Sequence, residues 1–218
     1  MEERKHIVIL AAGDFPTHEI PFKAFREADF VVVCDNAYNE IKDKGLWPKD
    51  FVVIGDGDSI SEADKTALGN RWIQVDEQDY NDLHKAMVYA TSHFPVNGNH
   101  FTILGATGKR EDHTLGNISY LTTFSNEYPG INLDMLTDYG CFTACFGRRD
   151  FASFPRQQVS IISLTPDVPV STTGLHWAVN KRCLRTWWEG TLNSALSDSF
   201  TVEGGTLVVF QTYEAKPL

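Results

Sequence analysis

Five short apolar runs, each followed by a stretch of helical spacing, constrain this chain more than any other feature. The runs are HIVILAAG (6–13), DFVVVCD (29–35), FVVIGD (51–56), WIQV (72–75) and HFTILGA (100–106). Their Val, Ile and Leu stand side by side instead of alternating with polar residues. A strand of that kind is buried on both faces, the condition met in a parallel sheet covered by helices on either side. Between and after the runs, PFKAFREA, AYNEIKDKG, SEADKTALG, YNDLHKAMVYATSHF and HTLGNISYLTTFSNEY space their apolar residues as helices do. Ser61 suits a helix N-cap, and Gly45 and Gly69 suit helix ends. The alternation predicts an α/β fold with a doubly wound, mostly parallel, Rossmann-like sheet.

From about residue 133 the texture changes. INLDMLTDYGCFTACFG, QQVSIISLTP, TTGLHWAVN, RCLRTWW and GGTLVVFQTYE are β-rich and separated by Gly, Pro and Asn, with no strong helical pattern. We expect an α/β domain over 1–135 and a smaller antiparallel β-sandwich over 136–218, a division that 218 residues accommodate. A net charge of −10 argues against a nucleic-acid partner. The charged start MEERK leads into an apolar run, Ile7–Ala12, too short for a signal core or a membrane span. The four cysteines lack C-x-x-C spacing, so reduced thiols in a cytoplasm are the plain expectation, and Cys141 and Cys145, four apart on one strand face, read as packing.

Ligands of open α/β sheets lie beyond the carboxyl ends of the strands. Four polar clusters follow predicted strands there: Asp35-Asn36, Asp56-Gly57-Asp58-Ser59, Gln78-Asp79-Tyr80-Asn81-Asp82, and Gly105 to His113. Asp56 and Asp58, at i and i+2 of an extended segment, point the same way and repel unless a cation such as Mg²⁺ lies between them. An Asp-Gly turn bonded to its own backbone explains the same residues. So does a haloacid-dehalogenase-type phosphatase with Asp56 as nucleophile, although that pattern wants a small or hydroxyl residue where Ile60 stands. Asp79 and Asp82 read equally as helix-start acids, and His84 as a solvated helix residue. GATGKRED is neither a P-loop nor a dinucleotide fingerprint. It is a small-residue turn whose amides can approach an anion, with Lys109 and Arg110 beside it, or a plain turn with two solvated cations. Tryptophans 177, 187 and 188 read as core or as a platform for an aromatic ring.

In order along the chain, CDNA (34–37), GDGDS (55–59), EQDYNDLHKAM (77–87), LGATGKREDHTLGNI (104–118) and STTGLHWAV (171–179) resemble the thiamine pyrophosphokinase family. The resemblance implies transfer of pyrophosphate from ATP to the hydroxyl of thiamine, giving thiamine diphosphate and AMP, with Mg²⁺ and a homodimer whose active sites lie at the interface. It implies that Asp56, Asp58 and Asp82 surround the metal and phosphates, and that Arg110 offsets developing charge. Gln78 and Asp79 would shape the substrate pocket. Asp35, Thr107, Gly108, Lys109, Asp112, His113 and Asn117 would line the ATP side. Trp177, with Ser194 and Ser197 of the 191–197 segment, would approach thiamine. Lys109 departs from the family, which often has a small residue there. A non-catalytic nucleotide-sensing module is the remaining alternative.

Overall fold

The computed structural model describes residues 4–216, so the MEE start lies outside the described residues. The chain divides into two compact units, one running to Tyr120 and taking up Phe124–Asp138, the other comprising Leu121–Thr123 and continuing from Tyr139.

The first unit carries strands β1 (His6–Leu10), β2 (Phe30–Cys34), β3 (Phe51–Gly55), β4 (Trp72–Gln74), β5 (His100–Leu104) and β6 (Asn132–Leu136). They run parallel in the order β6-β5-β1-β2-β3-β4. Helices α1 (Glu19–Glu27), α2 (Asp35–Lys44), α3 (Glu62–Leu68), α4 (Asp82–His93) and α5 (Glu111–Glu127) connect them. Val31, Val32 and Val33 are wholly buried, which is why consecutive apolar residues are needed here. Each such side chain stabilises the fold by about 2 kcal/mol. Ser61 Oγ accepts the Asp64 amide at 3.1 Å, and Gly45 closes α2 in the left-handed region with φ 64°. Both roles match the expectation from sequence.

Two boundaries differ from it. Helix α2 starts at Asp35 itself, because a carboxylate in the first turn is favoured by the helix dipole and needs no preceding loop. The segment at 132–136, grouped by sequence with the later β-rich region, instead pairs with β5 in parallel as the sixth strand of the first sheet.

The second unit is antiparallel, built from β7 (Gly140–Ala152), β8 (Gln157–Ser163), β9 (Pro169–Thr173), β10 (Arg182–Cys183), β11 (Asn193–Ser194) and β12 (Ser199–Ala215). β12 pairs with β7 along most of its length, and its register slips between Gly204 and Thr206. Before the slip its other edge pairs with β9, and after it with β8. Phe151, Phe200 and Val202 from one half and Cys145, Leu207 and Val209 from the other share one core. Cys145 is buried there, as its spacing suggested, while Cys141 is only half-buried. Among the described residues no helix is long and apolar enough to cross a membrane.

Candidate active site

All six strands of the first sheet point their carboxyl ends to one rim. The chain reverses its winding between β1 and β5, and that switch point is where open α/β sheets bind ligands. The loops leaving these two strands are zipped together: the amides of Ala11, Gly13 and Asp14 donate to the carbonyls of Leu104, Gly105 and Thr107 at 2.8, 2.5 and 2.8 Å. A Cβ at Gly13 would lie 2.3 Å from the Thr107 oxygen, so only glycine fits. Beside the zipper opens a cleft of about 370 Å³ whose walls include Gly13, Asn36, Gly108, Lys109, His113 and Asn117. Asn117 steadies it by donating to the Ala106 carbonyl at 2.8 Å. Lys109 takes a left-handed φ of 57°, uncommon for a side-chain-bearing residue, and its ammonium rests on the Ala12 carbonyl at 3.0 Å and on Glu40 at 3.3 Å. Arg110 forks onto Asp112 at 2.6 and 3.0 Å in solvent, and this pairing holds the Asp112 carboxyl below its usual range.

Two strands along the rim lies an acidic cluster. Register pairs Cys34 with Ile54, so Asp35 at the head of α2 falls beside the turn that follows β3. Gly55 allows this approach, since a Cβ there would lie 2.5 Å from that of Asp35. Gly57 turns the chain at φ 81° and donates its amide to Asp35 Oδ2 at 2.9 Å. Among the described residues, Asp35, Asp56 and Asp58 bring carboxylate oxygens within 4.8 Å of one another. Asp56 accepts from Gln78 Nε2 at 2.9 Å, which lowers its pKa, and Asp58 accepts from Ser59 Oγ at 2.7 Å. Asp35 is 1% exposed, and its Oδ1 is buried with no hydrogen-bond partner. Burial and then the charges of Asp82, Asp58 and Asp56 raise its pKa against the opposing Gly57 bond. An orphaned acceptor among crowded carboxylates is what a hard divalent cation satisfies, and the donor set fits one.

This arrangement predicts a trade between stability and chemistry. Asp35→Asn keeps an acceptor for Gly57 and removes a buried charge facing like charges. Without added metal the variant should gain on the order of 1 kcal/mol in urea unfolding, while losing metal affinity.

Asp82 opens α4, and the capping itself falls to Asn81, whose Oδ1 accepts the His84 amide at 3.0 Å. Asp82 lies outside the tight trio, yet its charge acts on Asp35, and its own pKa is raised by burial. It pairs with Lys85 Nζ at 3.6 Å. Asp79 sits in the preceding loop with its amide bonded to Glu77. His84 is not a solvated helix residue. Its ring stacks on Tyr80 at 4.1 Å and tilts against Tyr120 and Phe124, because α4 turns that face toward α5.

In the second unit the tryptophans are not core: Trp177, Trp187 and Trp188 are all exposed. Trp177 borders a cleft of about 570 Å³ together with Arg182, Glu189, Leu192 and Asn193. Buried Asn193, absent from the sequence reading, clamps the backbone of Trp177, accepting its amide at 3.1 Å and donating to its carbonyl at 2.7 Å. No signal in the sequence points to it, since its burial follows from packing alone. Ser194 lies on β11 and bonds Asn193 through its amide, whereas Ser197 lies in the following turn with its hydroxyl on the Ser199 carbonyl at 3.3 Å. Glu189 is held down to about 2 by the Thr186 amide and then by Arg182.

Residues 22–133 match the family model of the thiamin pyrophosphokinase catalytic domain, and residues 140–210 that of the thiamin pyrophosphokinase substrate-binding domain. The chain is 32% identical over 143 residues to thiamine pyrophosphokinase 1 of Oryza sativa subsp. japonica, a match covering 59% of this chain and 52% of that protein. It therefore spans about half the length of the curated relatives it matches. The fold is similar to yeast thiamin pyrophosphokinase, with a TM-score of 0.77 at 16% identity over 98% of this chain and 87% of that one. It is also similar to thiamine pyrophosphokinase from Bacillus subtilis, with a TM-score of 0.74 at 22% identity over 95% and 99%.

Proposed function

The chain belongs to the thiamin pyrophosphokinase family, and on that premise we propose that it transfers the pyrophosphoryl group of ATP to the hydroxyl of thiamine, releasing AMP. The observation that carries this reading is the acidic trio with its orphaned Asp35 oxygen on the same rim as the zipped glycine cleft. One feature offers a seat for a cation, the other a seat for phosphates.

Asp35, Asp56 and Asp58 would hold Mg²⁺, with Asp82 supplying further negative charge beside them. When bound, the ion offsets phosphate charge and draws electron density from the phosphorus under attack. In phosphoryl-type transfer the protein mainly positions groups and balances charge. Gly13 and Gly108 let the two loops of the cleft pack closely, and Lys109 and Arg110, paired here with Glu40 and Asp112, would turn toward the phosphates. Gln78 keeps Asp56 in place, and Asp79 lies beside it on the substrate loop. His113 and Asn117 line the cleft, and Thr107, whose carbonyl accepts the Asp14 amide, would border the nucleotide with them. The thiazolium ring of thiamine, a flat cation, would stack on Trp177 near Ser194 and Ser197, in a homodimer that the exposed Trp187, Trp188 and Leu192 would help to bury. We further propose a cytoplasmic setting, to which the free cysteines are suited.

The family match favours neither the phosphatase nor the non-catalytic module. Ile60 also speaks against the first, being 5% exposed and part of the core. The test is nucleotide release: AMP should appear only when ATP, Mg²⁺ and thiamine are all present, and ATP cleavage indifferent to thiamine would defeat the reading. Trp177→Ala should raise KM for thiamine by about three- to fivefold with KM for ATP unchanged, the scale of one partly exposed cation–π contact. Steady-state kinetics in both substrates measure it.

A further inference from the structure

Among the described residues, Lys85 is the one Lys or Arg that is buried, with its side chain 5% exposed. Its position is doubly unfavourable. Taking an ammonium out of water costs several kcal/mol, and the first turn of a helix, here α4, disfavours positive charge. Something must offset both. Asp82, three residues earlier, lies 3.6 Å away, longer than a charge-assisted hydrogen bond. The wider field supplies the remainder: the Lys85 charge reaches Asp56 as well as Asp82, and Asp82 in turn acts on Asp35.

We propose that Lys85 is a positioning residue that serves as a built-in cation of the acidic cluster. Asp35, Asp56, Asp58 and Asp82 carry more negative charge than one divalent ion offsets. Lys85 offsets part of the excess from the protein side, and so restricts the cluster to a single, exchangeable metal ion. This rests on the reading that the cluster binds a divalent cation at all.

The test is a Mn²⁺ titration of the full-length, chelator-treated and nucleotide-free protein, with free Mn²⁺ followed by electron paramagnetic resonance. Wild type should bind one ion. Lys85→Met, close in length and apolar, should bind that ion at least about tenfold tighter or take up a second, because a nearby positive charge is gone. Lys85→Arg should behave as wild type, and Lys85→Gln substitutes for the methionine variant should that one not fold. Unchanged or weaker binding in the uncharged variants overturns the inference, since an ordinary helix ion pair would leave metal affinity alone. Failure of wild type to bind Mn²⁺, or of Asp56→Asn to weaken binding, instead overturns the metal reading beneath it.

Discussion

Asp58→Asn is expected to lower thiamine-dependent AMP release by about a thousandfold, the scale on which loss of one transition-state electrostatic partner is felt. The substitution keeps size and an acceptor oxygen, and Asp58 is the exposed member of the trio, bonded to its neighbour Ser59 and to no core group. Stability should therefore shift by no more than about 0.5 kcal/mol. The two measurements belong together. Lost activity in a protein with an unaltered urea midpoint locates the defect at the cluster, and near-normal turnover would remove Asp58 from the metal site.

Gly13→Ala is expected to destabilise the first unit strongly. Its new Cβ would meet the carbonyl oxygens of Thr107 at 2.3 Å and Gly105 at 2.5 Å, both backbone atoms that cannot swing aside. Relief requires parting the loops of β1 and β5, which breaks the Gly13 and Asp14 hydrogen bonds. The expected loss is about 3 kcal/mol, in the range of strained or overpacked buried sites. Because the same loops wall the cleft proposed for the nucleotide, KM for ATP should rise in parallel. A Gly13→Ala protein unfolding at the wild-type urea concentration would show that the two loops are not in contact.

Sequence made the first sheet legible because burial on both faces writes itself as unbroken apolar runs, as at Val31–Val33. It gave the sixth strand the texture of the later β-rich region for the complementary reason, although the expected 1–135 bound keeps nearly all of it in the first domain. Asn132–Leu136 alternates exposed or half-buried with buried positions, and so reads like the antiparallel strands that follow it. At the site, Asp56 and Asp58 are neighbours in the chain, and their pairing is local enough to read directly. Asp35 joins them only through the register of β2 on β3, which no spacing rule reveals. Lys85, His84 and Asn193 share a different obscurity. Each is polar at a position where exposure is the default, and only the packing of its surroundings, α4 toward α5 for His84 and the turn under Trp177 for Asn193, buries it.

In the proposed reaction the cation-holding rim moves two phosphates together and not one. ATP labelled at the β-phosphorus tests it most directly, with the enzyme, Mg²⁺ and thiamine present and the products separated. The label should leave the nucleotide and appear in thiamine diphosphate, in equal amount to the AMP formed. Label remaining with the nucleotide as ADP, or released as inorganic phosphate whether or not thiamine is added, would contradict it.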